Sequence, residues 1–375
     1  MNYGEESVAA REKSGGQLFT GLKKDLQTKD DLSVWYTPGI AEPCRRIHAD
    51  KEKARDLTIR KNSVAVVSDG SAVLGLGNIG PEAALPVMEG KAMLFKRFGD
   101  IDAFPIVLDT QDTEEIIKAV QMIAPTFGGI NLEDISAPRC FEIEDRLSEL
   151  LDIPVFHDDQ HGTAICVLAA LMNSLKIVKK DKAEIRVVFS GAGAAGIAVA
   201  KILKYWGVKN IEMVDSKGII PCRCKKLHSS KMEFCSPREG TMAEALVGAD
   251  VFIGVSKPNI VSKDMVRSMA KDPIIFAMSN PDSEILPEDA HEAGAKIVAT
   301  GRSDYPNQIN NVLVFPGVFR GLLDAGIRKV TPDMKVAAAE YLAAIVENPT
   351  PEKIIPYALE EGVAEAVAKG VMKFK

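Results

Sequence analysis

The chain has 375 residues, which is enough for two domains, and it carries a net charge of −6 with 46% hydrophobic and 26% charged residues. This balance is typical of a soluble globular protein and argues against nucleic acid as the main partner. No apolar stretch reaches the roughly 20 residues of a membrane span, and the N-terminus lacks the apolar core of a signal peptide. Six cysteines without disulfide-scaffold spacing favour a reducing cytoplasm.

The first half of the chain alternates short apolar runs with segments of helical spacing. Residues 1–30 are expected to be helical, polar and exposed. We predict strands at 63–67, 103–108, 127–132 and 153–156, and helices at 82–98 and 113–123. This alternation predicts an α/β unit built on a parallel sheet.

Pairs of carboxylates follow two of these predicted strands. Glu133 and Asp134 follow the run at 127–132, and Asp158 and Asp159 follow the run at 153–156. Ligands of open parallel sheets bind outside the carboxyl ends of strands, so the four acids are expected at one edge. Carboxylates without thiolates suit Mg²⁺ or Mn²⁺. Alternatively the acids cap the next helices, which explains one acid per segment better than two.

Two histidines in the same segment raise the alternative of a zinc site. His157 and His161 are four residues apart, a spacing that suits zinc on a helix. The segment lacks the glutamate that follows the first histidine in HExxH, so we expect two histidines with ordinary hydrogen-bond partners instead.

The segment 185–215 has the order strand, glycine turn, helix, strand, acid. Gly191 permits the tight turn, Gly193 lets the backbone approach a pyrophosphate, and Gly196 lets the helix lie close to the strand. The free N–H groups of the helix N-terminus attract phosphates. Asp215 lies 22 residues after Gly193, near the position at which an acid binds the ribose diol. The pattern predicts a dinucleotide-binding unit.

The rest of the chain continues the α/β alternation. A helix is expected at 162–177, strands at 251–255, 274–278 and 296–300, and helices over 332–375 that pack back on the body. We therefore predict an N-terminal α/β catalytic domain (1–160), a Rossmann-like doubly wound NAD(P)-binding domain (161–330) and a C-terminal helical extension (331–375).

A cysteine cluster follows the dinucleotide unit. Cys222, Cys224 and Cys235, with His228, could form a zinc clip, but the loop is basic and the spacing is irregular. We expect these residues to be bystanders.

Six further segments complete a recognisable pattern. They are VWYTPGIA (34–41), VLGLGNIG (73–80), NLED (131–134), FHDDQHGT (156–163), SNP (279–281) and NNVLVFPG (310–317). With the glycine motif they resemble malic enzyme, and best its short bacterial and archaeal branch, in order from about residue 31 to 327. The resemblance implies metal-dependent, NAD(P)-linked oxidative decarboxylation of (S)-malate to pyruvate and CO2.

The resemblance also implies roles for single residues. Tyr36 matches the acid that protonates the product enolate, Lys91 the base, and Asp158 the acid that supports the lysine. The matching metal ligands are Glu133, Asp134 and Asp159. Substrate and cofactor contacts match Asn280, Asn310, Asn311, Gly191, Gly193, Ala194, Ala195, Gly196 and Asp215. Without the resemblance, Tyr36 is a packed aromatic, Lys91 a solvated helix lysine, and the asparagines turn formers.

The implied reaction requires a deprotonated lysine, and the sequence differs from larger malic enzymes at one substrate-binding position. Lys91 has to lose its proton near neutral pH, which neighbouring cations or a dry cleft would allow. Larger malic enzymes have a malate-binding arginine before the LGLG loop, whereas this chain has Asp69-Gly70-Ser71-Ala72-Val73. The second malate carboxylate is therefore expected to bind loop N–H groups of residues 76–80 and the asparagines.

The choice of cofactor is only partly readable. Asp215 repels a 2′-phosphate and favours NAD, although Ser216 and Lys217 leave NADP open. Three other functions stay open: a metal-free amino-acid dehydrogenase, an oxaloacetate decarboxylase with a vestigial cofactor fold, and a dinucleotide sensor. A homodimer or higher homo-oligomer with a small-molecule substrate is expected, without nucleic acid or membrane.

Overall fold

A parallel sheet of four strands forms in the first half of the chain. A computed structural model describes residues 3–73, 75–223 and 228–375. The strands are β1 (Ser63–Ser68), β2 (Asp102–Val107), β3 (Gly129–Leu132) and β4 (Val155–His157). Their order is β2-β1-β3-β4, and all neighbours are parallel. Every residue of β1 is buried, which explains its unbroken apolar run because helices cover both faces of a parallel sheet.

A second sheet of six strands follows. Its strands are β5 (Arg186–Ser190), β6 (Asn210–Asp215), β7 (Gly218–Ile219), β8 (Val251–Gly254), β9 (Ile274–Ala277) and β10 (Ile297–Thr300). The order β7-β6-β5-β8-β9-β10 is the doubly wound order of dinucleotide-binding folds, except that β7 is short and antiparallel to β6. The strand order reverses between β5 and β8, where such folds bind their ligand.

Sixteen helices are found in the described residues. They are α1 (Tyr3–Ser14), α2 (Lys29–Trp35), α3 (Ala41–Ala49), α4 (Ala54–Leu57), α5 (Pro81–Gly99), α6 (Thr113–Ile123), α7 (Arg139–Leu150), α8 (Asp158–Val178), α9 (Ala194–Trp206), α10 (Ser229–Met232), α11 (Met242–Leu246), α12 (Lys263–Arg267), α13 (Pro287–Glu292), α14 (Phe315–Ala325), α15 (Pro332–Ala344) and α16 (Val363–Met372).

Helix α8 connects the two sheets through the middle of the core. Fifteen of its residues are buried, including the uninterrupted run from Ala164 to Leu175. Of the helices in the described residues, α8 alone has the length and apolar character of a membrane span, and most of that stretch is buried inside the protein. The expectation that no apolar stretch reaches the length of a membrane span is therefore wrong for α8, and burial in the core explains the apolar length of this helix.

The C-terminal helices pack back on the body. Helix α16 packs closely on α14, where a Cβ added at Gly317 would lie 2.5 Å from the carbonyl oxygen of Ala364. Asn173 of α8 donates hydrogen bonds of 2.9 Å to the carbonyl groups of Ala343 and Ile354. The predicted two-part α/β fold with its helical extension is therefore confirmed, while the domain bounds stay a prediction.

The N-terminal region differs from its prediction. Of residues 3–28, only 3–14 are helical, and from Tyr3 to Asn62 no residue is buried. Exposed apolar side chains are frequent there, with Phe19 93% and Leu22 79% exposed. The region is thus exposed as expected, but it is not a polar surface helix.

The cysteine prediction also needs correction. Cys222 and Cys235 form a disulfide, whereas we expected bystander thiols. The cause is local backbone pairing: the N–H of Cys222 donates to Ser236, and the N–H of Ser236 donates to Ile220, which brings the two ends of the loop together. Cys224, the third member of the cluster, lies outside the described residues.

Candidate active site

The predicted acids meet at the carboxyl edge of the first sheet. The register pairs Leu132 of β3 with His157 of β4, so Glu133 and Asp158 leave the sheet side by side. Asp158 and Asp159 then form the first turn of α8, where the helix dipole favours negative charge. The backbone N–H of Asp134 donates to Asp159 Oδ2 at 2.8 Å, which ties the two segments together.

Helix α5 places Lys91 among these acids. Lys91 Nζ lies 2.6 Å from Asp158 Oδ2 and 2.7 Å from Glu133 Oε1, and its side chain is only 8% exposed. The ammonium also lies 4.4 Å from the ring centroid of Phe315. Lys91 is therefore a buried, doubly paired lysine, and the alternative of a solvated helix lysine is wrong.

The charge state of Lys91 differs from the expectation. Burial lowers the pKa of Lys91, but the charges of Asp158, Glu133 and Asp159 outweigh burial and raise it well above its ordinary value. Its neighbours are anions rather than the cations that would favour a neutral amine. Lys91 is thus an ammonium in this arrangement, and it can act as a base only when other positive charge neutralises the acids.

The four carboxyl groups of the cluster have raised pKa values, because burial and mutual repulsion disfavour their charged forms. Burial raises the pKa of Asp134 to about 9, with the charges of Asp159 and Glu133 adding to it. Burial also raises the pKa values of Glu133 and Asp158 to about 7 and that of Asp159 to about 6. The single positive charge of Lys91 does not balance four clustered carboxyl groups. Further positive charge at this edge of the sheet would therefore stabilise their ionised forms.

A divalent cation would supply the missing positive charge, and the ligand atoms present are of the type that such a cation binds. Glu133, Asp134 and Asp159 supply only oxygen ligands, the type that Mg²⁺ and Mn²⁺ prefer. Among the described residues, no three acidic, histidine or cysteine side chains are already arranged around a metal position. The donor types and the uncompensated charge therefore fit the cation, while Lys91 occupies part of the space between the acids.

The two histidines have different surroundings. His161 Nε2 lies 2.8 Å from Glu144 Oε1, and Lys335 Nζ lies 3.0 Å from His161 Nδ1. His157 is fully buried, and neither ring nitrogen has a hydrogen-bond partner within the described part of the chain. Burial lowers its pKa to about 4. The expectation of ordinary partners is confirmed for His161 and wrong for His157.

Glu144 is a structural residue of the site that the sequence did not indicate. Its carboxylate accepts the backbone N–H of His157 at 3.0 Å and the side-chain N–H of Gln160 at 3.0 Å, besides pairing with His161. Burial raises the pKa of Glu144, but its neighbours, His161 first among them, lower it to about 2. Glu144 thereby fixes both ends of the turn that presents the two aspartates. Only the heptad-like burial of α7 could have suggested it.

A glycine permits the position of Asp158. A Cβ added at Gly162 would lie 1.9 Å from Asp158 Oδ1 and 3.1 Å from Asn311 Cβ. Asp158 therefore fills the space that any larger residue at 162 would need. This contact places Asn311 beside the lysine–aspartate pair.

The other two asparagines have structural partners. Asn310 Oδ1 accepts the N–H of Val312 at 3.0 Å and caps the short turn before α14. Asn280 Nδ2 donates to the carbonyl of Met278 at 3.4 Å. A Cβ added at Gly75 would lie 3.6 Å from the carbonyl oxygen of Asn280. Gly75 belongs to the segment VLGLGNIG (73–80), which we call the glycine-dense loop, so this loop approaches the turn at Asn280. The turn-forming alternative therefore describes Asn310 well.

An arginine also lies near the glycine-dense loop, although none precedes it in sequence. Arg139 Nη2 of α7 donates to Asp69 Oδ2 at 3.0 Å and to Ser71 Oγ at 3.0 Å. Asp69 is buried and pairs with this guanidinium. No spacing in the sequence indicates the pair, because 70 residues separate its members.

The structure does not bring Tyr36 to this cluster. Tyr36 is 61% exposed, and its hydroxyl has no hydrogen-bond partner among the described residues. It follows α2, which has no buried residue. The four carboxylates, Lys91 and Asn311 are thus brought together without Tyr36.

The glycine turn has the geometry expected for phosphate binding. Gly191 has a φ of 107°, and a Cβ there would lie 2.7 Å from the carbonyl oxygen of Val255. A Cβ at Gly196 would lie 2.1 Å from the carbonyl oxygen of Gly191, so the helix does approach the strand closely. Within the described residues, no atom lies within 4 Å of a Cβ added at Gly193, and no side chain caps α9. Its N-terminal N–H groups at Ala194 and Ala195 are free for an anion.

A cavity of about 1200 Å³ opens in front of this turn. Asp215, Ser216, Lys217, Phe141 and His228 are among the residues that line it. Asp215 Oδ1 accepts the N–H of Lys217 at 2.8 Å, which leaves its second oxygen available for a ribose hydroxyl. The cavity is large enough for a dinucleotide.

Comparisons with known proteins agree with this geometry. The family model "Malic enzyme, N-terminal domain" matches residues 16–148, and "Malic enzyme, NAD binding domain" matches residues 160–374. The chain is 52% identical to a bifunctional malic/malolactic enzyme of Bacillus subtilis, over 100% of the chain and 93% of the relative. It is 56% identical to an NAD-dependent malic enzyme of Geobacillus stearothermophilus, over 96% of the chain and 76% of the relative.

Solved structures give the same result. A crystal structure of an NAD-dependent malic enzyme from Thermotoga maritima has a TM-score of 0.94 and 49% identity, covering 98% of each chain. A malic enzyme from Pyrococcus horikoshii has a TM-score of 0.94 and 48% identity, covering 97% of this chain and 90% of that one.

Proposed function

The chain belongs to the malic enzyme family, and from this membership we propose that it oxidises and decarboxylates (S)-malate to pyruvate and CO2 while reducing NAD(P). The observation that carries the proposal is Lys91, buried between Asp158 and Glu133 at 2.6 and 2.7 Å, in a chain that also holds a dinucleotide cavity. An amino-acid dehydrogenase would have no use for this cluster of carboxylates.

Glu133, Asp134 and Asp159 are proposed to hold Mg²⁺ or Mn²⁺. When bound, the cation would polarise the substrate carbonyl and stabilise the negative charge that forms as CO2 leaves. Its charge would also offset the acids that raise the pKa of Lys91. Lys91 is proposed to accept the proton of the malate hydroxyl, and Asp158 orients the amine through its 2.6 Å contact.

The remaining roles follow from positions in the site. Asn311, next to Asp158, and Asn280, at the turn that meets the glycine-dense loop, are proposed to bind malate. Asn310 is proposed to contribute to substrate binding mainly by capping the turn that holds Asn311. Tyr36 does not lie in this cluster; from its match to the tyrosine of the YTP motif, it is proposed to deliver a proton to C3 of the enolate.

NAD is proposed as the preferred cofactor. Asp215 stands at the ribose end of the cavity, where a second negative charge on a 2′-phosphate would be repelled. The relatives named above include an NAD-dependent enzyme, while others, such as one from Escherichia coli at 45% identity, are NADP-dependent. We also propose that the protein is a cytoplasmic homodimer or higher homo-oligomer, with domains at 1–160, 161–330 and 331–375.

The test is a product assay with purified protein, (S)-malate and Mn²⁺, run with NAD and with NADP. We expect NADH and pyruvate in equal amounts. Lactate is measured in parallel, because the Bacillus subtilis relative is named for both the malic and the malolactic reaction. Lactate without net NADH would reject the oxidative proposal. Decarboxylation of oxaloacetate alone would support the vestigial-cofactor alternative.

A further inference from the structure

Glu284 is a fully buried carboxylate that the proposed reaction does not use. It lies between β9 and α13, and its side chain reaches the carboxyl ends of β8 and β9. Burial raises the pKa of Glu284, and among the described residues only backbone N–H groups oppose that effect. No lysine, arginine or histidine in that part of the chain pairs with it. A buried carboxylate without a cation costs stability, so its place in the fold calls for an explanation.

The two oxygens of Glu284 bind two different turns. We call residues 255–257, which follow β8, the β8 turn, and residues 278–281, which follow β9, the β9 turn. Glu284 Oε1 accepts the backbone N–H of Ser256 at 2.9 Å, and Oε2 accepts the backbone N–H of Ser279 at 3.0 Å. One carboxylate therefore holds together the turns at the ends of two neighbouring strands.

The backbone around Glu284 fixes the carboxylate in this position. A Cβ added at Gly254, the last residue of β8, would lie 2.6 Å from Glu284 Oε1, so a glycine leaves the space that the carboxylate fills. The carbonyl groups of Ser283 and Glu284 accept the N–H groups of Asn259 and Val261, each at 3.0 Å. The segment that carries Glu284 is thus attached to the chain that follows the β8 turn.

The β8 turn belongs to the cofactor cavity. Ser256 lines the cavity, and its hydroxyl lies 2.7 Å from the hydroxyl of Ser190, the last residue of β5. Gly191 of the glycine turn follows Ser190, and a Cβ added there would lie 2.7 Å from the carbonyl oxygen of Val255. The β8 turn therefore packs directly on the turn that is expected to bind the pyrophosphate.

The β9 turn belongs to the malate side of the cleft. It carries Asn280, which is proposed to bind malate, immediately after Ser279. The glycine-dense loop approaches the same turn at Gly75. Because Glu284 is 0% exposed, it can affect either ligand only through the two turns that it holds.

We propose that Glu284 is a positioning residue that couples the two halves of the cleft, so that binding of malate at the β9 turn strengthens binding of the dinucleotide at the β8 turn. Hydrogen-bond networks carry such coupling, and the effect on the two ligands is reciprocal. The proposal rests on the proposed function, because it takes malate and NAD as the two ligands.

Glu284→Gln separates the two turns with little change in volume. A glutamine has one acceptor oxygen, and its NH2 group would face the N–H donor of the other turn. The dissociation constant of NADH is measured by fluorescence titration in Mn²⁺, with and without (S)-malate. We expect malate to tighten NADH binding at least about fivefold in the wild type and less than about twofold in Glu284→Gln.

Steady-state kinetics supplies a second measurement on the same variant. The KM values for NAD and for malate should both rise at least about fivefold in Glu284→Gln, because each turn depends on the carboxylate. The kcat at saturation should stay within about threefold of wild type, because Glu284 contacts no reacting group. A side chain that only stabilised the fold would lower the melting temperature and leave the tightening unchanged.

Two further variants make the test specific. Glu292→Gln is the matched control, since Glu292 is 65% exposed and pairs with Lys263 at the surface, and it should behave like the wild type. Ser190→Ala removes the hydroxyl contact between β5 and the β8 turn. It should also reduce the tightening, while leaving the KM for malate unchanged, and it tests the same network if Glu284→Gln does not fold. Circular dichroism shows which variants are folded.

The outcomes distinguish this proposal from the proposed function. Wild-type tightening in a folded Glu284→Gln, or in Ser190→Ala if Glu284→Gln does not fold, would overturn the coupling while malate oxidation still supports the proposed function. A wild-type enzyme in which malate does not tighten NADH binding would overturn it as well. A wild-type protein that binds NADH but does not oxidise malate would refute the proposed function, and the coupling proposal would fall with it.

Discussion

The chemistry of this site depends on a single lysine enclosed by acids. Because Lys91 contacts Asp158 and Glu133, its proton affinity depends on whether those carboxylates are neutralised. The sequence predicted that the acids meet at one sheet edge, because they follow two predicted strands, whereas Lys91 was assigned only through the resemblance. It could not give the sign of the effect on the pKa, which depends on distances between segments far apart in the chain.

Asp215 is predicted to select NAD. In Asp215→Ala the ribose loses an acceptor and a 2′-phosphate is no longer repelled, so kcat/KM should fall about tenfold for NAD and less for NADP. Steady-state kinetics with both cofactors measures the change. Lys217→Ala is the matched control at the same edge of the cavity. Equal losses for the two cofactors would count against this role.

Glu144 is predicted to stabilise the fold in a pH-dependent way. Its pKa is about 2 when folded, against an ordinary value of 4.5, so its contribution is complete above pH 4.5 and is lost as the pH falls toward 2. Glu144→Gln should therefore lose about 3 kcal/mol of unfolding free energy at pH 7, and the difference from wild type should shrink at acid pH. Urea unfolding between pH 7 and pH 3 measures both effects.

The control for Glu144 is a glutamate on the same helix. Glu142 pairs with Arg146 at the surface, so Glu142→Gln should cost little at any pH. The role assigned to Glu144 is wrong if both variants unfold with the same pH profile.

At the scale of elements, the first turn of α8 decides the geometry of the site. Gly162→Ala would place a methyl group 1.9 Å from the present position of Asp158 Oδ1. Asp158 must move, and Lys91 would move with it, so we expect kcat to fall at least about tenfold with little change in melting temperature. Gly90→Ala on α5 is the control, since its nearest neighbour, Gln17 Oε1, is 3.8 Å away. Similar kcat values for the two variants would contradict the prediction.

The disulfide constrains an element that borders the cofactor cavity. Cys222 and Cys235 enclose a loop whose His228 and Lys231 line the cavity. Reduction should loosen the loop and raise the KM for NAD about two- to fivefold while leaving kcat nearly unchanged. Kinetics with and without reductant, compared with Cys222→Ser, measure this effect. Cys44→Ser, at an exposed free cysteine, should change nothing; an unchanged KM on reduction would argue against the constraint.

Much of the fold was predictable at this scale because apolar periodicity is local. The helix at 113–123 and the strands of both sheets were predicted within a few residues. The short β7 and the disulfide were not predicted, although both are local: β7 pairs Gly218 with Asp215, and Cys222 and Cys235 are 13 residues apart. Neither has the apolar periodicity on which the prediction of strands and helices depends. The sequence likewise gave no sign of Glu144 or Arg139, whose partners lie 13 to 70 residues away.

At the scale of the whole molecule, the acid cluster and the cofactor cavity belong to different sheets joined through α8. Malate and NAD must meet between them, so we expect the cleft to close on ligands with hinges near residues 160 and 330. Solution scattering should show a smaller radius of gyration with malate, Mn²⁺ and NADH than without them. Identical curves would contradict closure.

We infer that the acid cluster and the dinucleotide cavity of this chain act together in the oxidation and decarboxylation of malate. The most direct test follows NADH formation from (S)-malate and NAD with Mn²⁺, with and without EDTA, for the wild type and for Lys91→Ala. We expect NADH and pyruvate with the metal and wild-type protein, and loss of both with EDTA or without the lysine. Undiminished NADH formation in EDTA, or in Lys91→Ala, would contradict it.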